Sequence, residues 1–333
     1  MMPSKKANKN RFRRGDIVTV RCLPEIEATL DGSGTLDNMP FLPEMVKYCG
    51  RTFMVRWRVN KVLQGDSKGG LRYIHNTVLL DDTICDGEAH GDCQRMCFFL
   101  WKTAWLDYES GGSSDGVPDS RGSPIAGHKP GEHLLPRGHI CQATALTAAS
   151  LPLRLLDPRR YYWDLTSRLY KPTAYLRYLL GGIYRRTLGR LFGRLHHDKG
   201  PRFDAADPER LGLKRGDLVE VKSVEEIRAT LNSRGLNRGL YFLPGMWGYC
   251  GLRLRVLRPV YRMLGEKTGE MRSLKNTVVL EGITCNGQAY GGCQRGCYVF
   301  WKEIWLRRVS EVIHRPMLLP PNSPSSPTGI KEQ

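Results

Sequence analysis

Apolar and polar positions alternate along several stretches of the chain, and the period changes from stretch to stretch. RGDIVTVR (14–21) alternates after a Gly-Asp turn and predicts a strand, and PEIEATL (24–30) predicts a short helix after it. TFMVRWRVNKVL (52–63) and LRLRVLRPVYRML (252–264) alternate apolar and basic residues, a pattern typical of a curved sheet with one solvent-exposed face. NTVLLDD (76–82) predicts a further strand.

Two nine-residue stretches each carry a pair of tryptophans four positions apart. They are FFLWKTAWL (98–106), with Trp101 and Trp105, and YVFWKEIWL (298–306). Positions i and i+4 share one face of an α-helix. We therefore predict a helix in each stretch whose tryptophan face belongs to the core.

One long stretch of sequence occurs twice. RRGDIVTVR from Arg13 matches KRGDLVEVK from Lys214, and CDGEAHGDCQRMC from Cys85 matches CNGQAYGGCQRGC from Cys285. A repeat this long fits a duplicated domain better than a solenoid unit. The predicted fold class is α+β and β-rich, with two duplicated small KOW-like β-barrel domains, each with a helix, and a basic helix between them.

Composition divides the chain further, because the region after the first copy is rich in Gly, Ser and Pro and the C-terminus is rich in Pro. The predicted segments are a basic disordered tail (1–12), repeat domain A (13–108), a flexible linker (109–140), a basic amphipathic helical connector (141–200), repeat domain B (211–309) and a disordered Pro-rich tail (310–333).

The cysteines are the first candidates for chemistry. Ten cysteines without a secretory signal indicate a reducing, cytoplasmic setting, in which repeated cysteine spacings favour metal ligation or thiol chemistry over disulfides. Each copy supplies four, which are Cys49, Cys85, Cys93 and Cys97 in the first and Cys250, Cys285, Cys293 and Cys297 in the second. Four thiolates suit a tetrahedral zinc site or an iron–sulfur cluster, and the spacing leaves that choice open.

Other roles for these thiols stay open beside metal ligation. Cys93 and Cys97 are predicted at a helix start, where the helix dipole lowers a thiol pKa. His90 is a candidate ligand, or a base beside Cys93 or Cys97 in a thiolate enzyme, and the second copy has Tyr290 at that position. Buried structural thiols are the third interpretation, and Cys22 is expected to be one of them.

The charge balance adds a candidate surface. Lys and Arg total 51 against 33 Asp and Glu, a net charge of +18, which favours acidic partners. Leucines and arginines at helical spacing in 174–197 predict an amphipathic helix that packs between the domains, lies on an anionic membrane surface or contacts nucleic acid. The chain contains no apolar run of about 18 residues, so no membrane-spanning helix is predicted.

Several motifs together resemble an uncharacterised bacterial family of tandem-domain proteins. They are FLPEM with a following CG, the cysteine repeat with its WKxxWL ending, CQATAL and DPRRYYWDLTS. The family is often encoded near sugar, polysaccharide or natural-product biosynthesis genes, so the resemblance implies an accessory role in a biosynthetic pathway. It also implies a role for Cys141 of CQATAL, which its position outside the repeated cysteine pattern otherwise marks as an ordinary buried thiol.

The function predicted from the sequence is a cytoplasmic metal-binding accessory protein with zinc or an iron–sulfur cluster, redox-active and peripheral to the inner face of a membrane, acting with a pathway protein. The alternatives are a thiolate-dependent biosynthetic enzyme and a nucleic-acid-binding module. No phosphate loop, nucleophile elbow or dinucleotide fingerprint occurs in the chain. Whether the protein is an enzyme is therefore left open.

Overall fold

The computed structural model describes residues 12–64, 70–108, 141–154, 156–166 and 210–309. The predicted basic tail up to residue 11, the predicted flexible linker, the amphipathic segment 174–197 and the Pro-rich tail lie outside those ranges. Within them, no helix has the length and apolarity that crossing a membrane requires.

The first copy is built from short elements around two long strands. Its elements are β1 (Ile17–Val20), α1 (Leu23–Glu27), β2 (Thr35–Leu36), β3 (Met39–Pro40), β4 (Thr52–Leu63), β5 (Leu71–Leu80), β6 (Trp101–Lys102) and β7 (Leu106–Tyr108). The predicted strands and the predicted short helix before residue 82 are confirmed. The α+β, β-rich class holds, and the KOW type of barrel stays a prediction.

The main sheet of the first copy has the strand order β6-β5-β4-β1-β7, and all of these pairs are antiparallel. β6 and β7 stand at opposite ends of this order, yet only the 3₁₀ turn Thr103–Trp105 separates them in sequence. The sheet therefore curves round so that its two ends meet. The interior it encloses is the core of the first copy.

The second copy repeats this arrangement with one interruption. Its elements are β9 (Leu218–Val221), α4 (Val224–Ala229), β10 (Leu236–Asn237), β11 (Leu240–Tyr241), β12 (Arg253–Pro259), β13 (Arg262–Leu264), β14 (Met271–Ser273), β15 (Thr277–Thr284), β16 (Tyr298–Lys302) and β17 (Leu306–Arg308). The sheet order is β16-β15-β12-β9-β17. Pro259 ends β12 because proline has no amide hydrogen to donate to a neighbouring strand. The single long strand β4 of the first copy therefore corresponds to two shorter strands here, β12 and β13.

The tryptophan helices predicted from the i, i+4 spacing are wrong. Trp101 lies in β6, where it pairs with Val78 of β5, and Trp105 ends the 3₁₀ turn that follows. The second copy has the same strand and turn. Pairing with β5 provides hydrogen-bond partners for the backbone of β6, and this outweighs the helical preference suggested by the four-residue spacing. The assignment to the core is confirmed, because Trp101 and Trp105 are fully buried.

Residues 141–154 and 156–166 pack onto the first copy. They form α2 (Gln142–Ala145), β8 (Leu151–Pro152) and α3 (Pro158–Thr166), and β8 pairs with β5. The Gln142 side chain accepts a hydrogen bond from the Leu100 amide at 2.7 Å and donates to the Leu100 carbonyl at 3.0 Å. An amide side chain thus takes the place of a neighbouring strand beside residue 100.

The two copies also bond to each other, and they do so reciprocally. The amide of Gln294 donates to the Lys61 carbonyl at 2.8 Å, and the amide of Gln94 donates to the Arg262 carbonyl at 3.1 Å. Each glutamine occupies the same position in its own copy, and so do Lys61 and Arg262. A contact in which corresponding residues exchange roles is the pattern of a two-fold interface between like subunits, here within one chain.

Candidate metal centre

Glu44, Cys85 and His90 of the first copy meet in the protein interior. Cys85 Sγ lies 3.0 Å from His90 Nε2, and His90 Nδ1 lies 3.8 Å from Glu44 Oε1. One ligand atom from each residue lies within 4.8 Å of the other two, and all three residues are buried. Across the described ranges, no other group of three or more Cys, His, Asp or Glu side chains meets that distance.

Tight turns bring the three side chains together. Glu44 lies in the 3₁₀ segment Pro43–Tyr48, and the Cys85 amide donates to the Cys97 carbonyl at 2.9 Å. His90 ends a single 3₁₀ turn that starts after Gly87, whose φ is +86°. A Cβ on Gly87 would lie 2.0 Å from the Cys93 carbonyl oxygen, so this close approach requires glycine.

Burial controls the charge of the carboxyl and the thiol. Desolvation raises the pKa of Glu44 to about 7, against the opposing effect of the hydrogen bond from the Ala89 amide. Desolvation also raises the pKa of the Cys85 thiol, and the neighbouring Glu44 carboxyl adds to that rise. Near pH 7 the Cys85 thiol therefore favours its neutral form and the Glu44 carboxyl is about half ionised, and a bound cation would favour the charged forms of both.

The two oxygens of the Glu44 carboxyl differ in their hydrogen bonds. Oε1 accepts a hydrogen bond from the Ala89 amide at 3.0 Å. Oε2 is buried and has no hydrogen-bond partner among the described residues. The neighbouring Asp86 carboxyl also raises the pKa of Glu44, and a cation bound at the site would offset both this repulsion and the cost of burial. The chemistry of the donor set, sulfur, nitrogen and oxygen, fits a transition metal.

The four cysteines predicted as ligands in the first copy do not meet at one point. Cys85 belongs to the cluster, whereas Cys49 packs at the edge of the first-copy core and Cys93 Sγ accepts a hydrogen bond from the Leu264 amide at 3.3 Å. Residues 91–97 form turns and not the predicted helix start. The expected lowering of the pKa is also wrong for Cys97, whose pKa burial raises to about 12.

The second copy lacks two of the three residues of the cluster. Gly245 stands where the first copy has Glu44, and Tyr290 stands where it has His90. Cys285 Sγ instead accepts a hydrogen bond from the Gly287 amide at 3.3 Å. The cysteines predicted as ligands here, Cys250, Cys285, Cys293 and Cys297, belong to no group of three potential ligands in the described part of the chain. The two copies therefore do not offer equivalent sites.

A cavity of about 30 Å³ adjoins the cluster, and we call it the first-copy cavity. Its lining includes Cys85, His90, Cys93, Cys97 and Cys141 from one side, and Arg295 and Cys297 from the second copy. Cys141 is thus part of the wall of this cavity. Cys22 contradicts the expectation of a buried thiol, because it is exposed at the start of α1.

Glu44 was not among the residues predicted from the sequence. A signal for it exists, because the two copies differ at this position and at residue 90 together, while the surrounding FLP, CG and cysteine residues match. Sequence comparison between the copies could have paired these two differences. The 3.8 Å separation of the Glu44 carboxyl from the His90 ring could not be read from residues so far apart in the chain.

A thiol, an imidazole and a carboxyl within one small buried volume give the first copy the geometry of a candidate metal centre with mixed donors. Neither known protein families, nor curated proteins, nor solved structures give a match to the chain. The chemistry of the centre is therefore inferred from its own geometry.

Proposed function

We propose that the protein binds one zinc ion per chain at Glu44, Cys85 and His90. The observation that carries the proposal is the convergence of their three ligand atoms within 4.8 Å of one another in a buried site. Zinc takes thiolate, imidazole and carboxylate ligands in tetrahedral geometry. Three protein ligands leave a fourth position, as in zinc sites that hold water or substrate.

The first-copy cavity supports a fourth, exchangeable ligand. Its volume of about 30 Å³ is close to that of two water positions, at ~10–15 Å³ each. The cavity borders Cys85 and His90, so a water held there would lie beside the ion. Such an ion also stabilises the thiolate of Cys85, which burial alone opposes.

Zinc accounts for the ligand set better than an iron–sulfur cluster does. A cluster is held by four cysteine thiolates, or by two cysteines and two histidines in the Rieske type. The group that converges in the described structure contains one cysteine, Cys85. A single thiolate with one imidazole and one carboxylate suits a mononuclear ion.

The metal content of the full chain, purified without chelator, tests this proposal. We expect about one zinc per chain, and its loss in the Cys85→Ser and His90→Tyr variants, of which the second introduces the residue of the other copy. Cys285→Ser is the matched control and keeps the zinc. Zinc retained by both first-copy variants, or iron with acid-labile sulfide in place of zinc, contradicts the proposal.

The same geometry supports a second candidate, a thiol-dependent enzyme. Cys85 Sγ lies at hydrogen-bond distance, 3.0 Å, from His90 Nε2, and Glu44 stands behind the other ring nitrogen, as in a nucleophile with its base and an orienting acid. The partner of His90 is then Cys85, and not the predicted Cys93 or Cys97. The raised pKa of the Cys85 thiol counts against this candidate.

Alkylation of Cys85 by iodoacetamide, read by peptide mass spectrometry, separates the two candidates. If zinc holds the thiolate, Cys85 is protected in the purified protein and reacts after chelation. If the thiol acts alone, chelation leaves its rate unchanged and His90→Tyr lowers that rate. Cys22, which is exposed, reports in both cases that the reagent is active.

The cellular role of the protein and its larger partners remain predictions. An accessory, redox-active role in a biosynthetic pathway rests on the family resemblance and on the other thiols beside the centre. A peripheral position on an anionic membrane, and the alternative of nucleic-acid binding, rest on residues 174–197, which lie outside the described ranges. Binding of the full chain to anionic vesicles, compared with neutral vesicles and with duplex DNA, tests these surfaces.

A further inference from the structure

The second copy has a larger cavity at the position that corresponds to the first-copy cavity. This second-copy cavity has a volume of about 180 Å³. Its walls combine apolar and aromatic residues with three charged ones. The charged residues are Arg95, Glu266 and Arg295.

Two differences between the copies account for the larger volume. Val299 and Gly296 stand where the first copy has the larger Phe99 and Met96. In addition, residues 141–143 line the first-copy cavity, whereas every residue that lines the second-copy cavity belongs to one of the two copies. The space that side chains and α2 occupy in the first copy is thus left open in the second.

The charged wall of this cavity carries an excess of positive charge. Arg95 and Arg295 both pair with the same oxygen of Glu266, at 2.5 and 2.7 Å. Among the described residues, Glu266 is the one carboxyl that pairs with either guanidinium. Two cations and one anion leave one positive charge among the described residues at this largely desolvated place. Buried charge is costly unless it is paired.

Arg95 is the arginine that can receive a further partner. Arg295 also donates to the Leu63 carbonyl at 3.1 Å and is 7% exposed, whereas the Arg95 side chain is 22% exposed and faces the cavity. A guanidinium has five N–H donors, so the bond to Glu266 leaves donors for a second anion. Arginine binds carboxylates through two parallel bonds.

We infer that the second-copy cavity binds a small organic carboxylate with a single-ring apolar body, whose carboxylate pairs with Arg95. The size follows from the volume, because a cavity of about 150 Å³ accommodates benzene. The ring would lie among Leu243, Val299 and Phe300. This inference does not depend on zinc, because none of Glu44, Cys85 and His90 lines this cavity.

Calorimetric titration of the full chain with benzoate, before and after chelation, tests the inference. Benzamide, the neutral analogue of the same shape, and inorganic phosphate, an anion without the ring, are the control ligands. We expect saturable binding of one benzoate per chain in both metal states, with both control ligands at least tenfold weaker. Equal binding of benzamide overturns the role of the charge, and equal binding of phosphate overturns that of the apolar wall.

Three variants localise the binding. Arg95→Met removes the excess charge and leaves Glu266 paired with Arg295, so benzoate affinity should fall at least tenfold. Val299→Phe introduces the residue of the first copy and should block the cavity. Arg262→Met removes an arginine that pairs with Asp92 at the surface, and should leave the affinity within twofold of the wild type.

Circular dichroism melting of each variant shows whether it is folded. If Val299→Phe does not fold, the comparison between Arg95→Met and Arg262→Met alone tests whether benzoate binds at Arg95. Unchanged benzoate affinity in a folded Arg95→Met variant, or no benzoate binding by the wild type, overturns the inference. Neither result bears on zinc binding at the first-copy centre, which is measured by metal content.

Discussion

Phe98 and Tyr298, which occupy the same position in the two copies, stack on each other with ring centroids 5.6 Å apart and an angle of 13° between the rings. A residue that contacts its own counterpart lies beside a two-fold axis. The reciprocal bonds of Gln94 and Gln294 lie on the same interface. The QRxC motif (94–97 and 294–297) therefore joins the two copies, and its cysteines lie near the interface.

Truncation of Gln294 should destabilise the interface more than truncation of Gln94. Gln294 Oε1 accepts hydrogen bonds from the Asn60 and Lys61 amides at 2.7 and 3.1 Å, and the residue is 1% exposed. Gln294→Ala leaves those amides without an acceptor and should cost about 2 kcal/mol of unfolding free energy. Gln94→Ala should cost less, because Gln94 is less buried and water can replace its side chain. Urea unfolding measures both, and an equal cost contradicts this account.

The buried pair Lys61–Asp164 should dominate the stability that α3 contributes. Lys61 is fully buried and bonds to Asp164 and to the Arg160 carbonyl. Asp164→Asn leaves the ammonium without a counter-charge and should cost about 3–5 kcal/mol. The matched change Asp92→Asn at an exposed pair should cost less than about 1 kcal/mol.

The cost of Asp164→Asn should also depend on pH. Burial lowers the pKa of Lys61, and loss of Asp164 removes the interactions that raise it. A folded-state lysine pKa below the unfolded value means that the unfolded state binds more protons, so stability rises with pH. The deficit should therefore shrink as pH rises towards the unfolded value of about 10.4. A deficit that is constant from pH 7 to 10 contradicts this assignment.

Gly87 and Gly15 share a left-handed backbone but should respond differently to alanine. Their φ values are +86° and +89°, so a Cβ strains both, and each change should cost about 1 kcal/mol from the backbone alone. At Gly87 the Cβ would also clash with the Cys93 carbonyl, whereas nothing lies within 4 Å at Gly15. We expect Gly87→Ala to lower the melting temperature further and to reduce zinc content. Equal melting temperatures for the two variants contradict the role of the clash.

Chelation should lower the melting temperature of the wild type but not that of His90→Tyr. A ligand that binds the folded state alone stabilises it by about 2.7 kcal/mol at a hundredfold excess over its dissociation constant. His90 supplies one of three ligands at the centre, so its loss removes this linkage. Melting curves at fixed zinc, with and without chelator, measure the difference. An equal shift in both proteins places the zinc elsewhere.

The pattern of residues was sufficient to predict the repeat, the two long strands of the first copy, the helix after β1 and the burial of the tryptophans. These follow from local alternation and from the comparison of one copy with the other. It also singled out Cys85 and His90, because the cysteine loop is marked by its glycines. The helical interpretation of Trp101 and Trp105 was wrong, since spacing of four fits both a helical face and a strand followed by a 3₁₀ turn.

Which of these residues meet depends on contacts between segments far apart in the chain. Glu44 and His90 come together because one 3₁₀ turn packs beside another, and the cysteines separate because the interface between the copies takes up the QRxC segments. Contacts across the two-fold, such as Arg95 with Glu266, join residues far apart in the chain. The periodicity of apolar residues indicates which face of a segment is buried. It does not indicate which distant segment packs against that face.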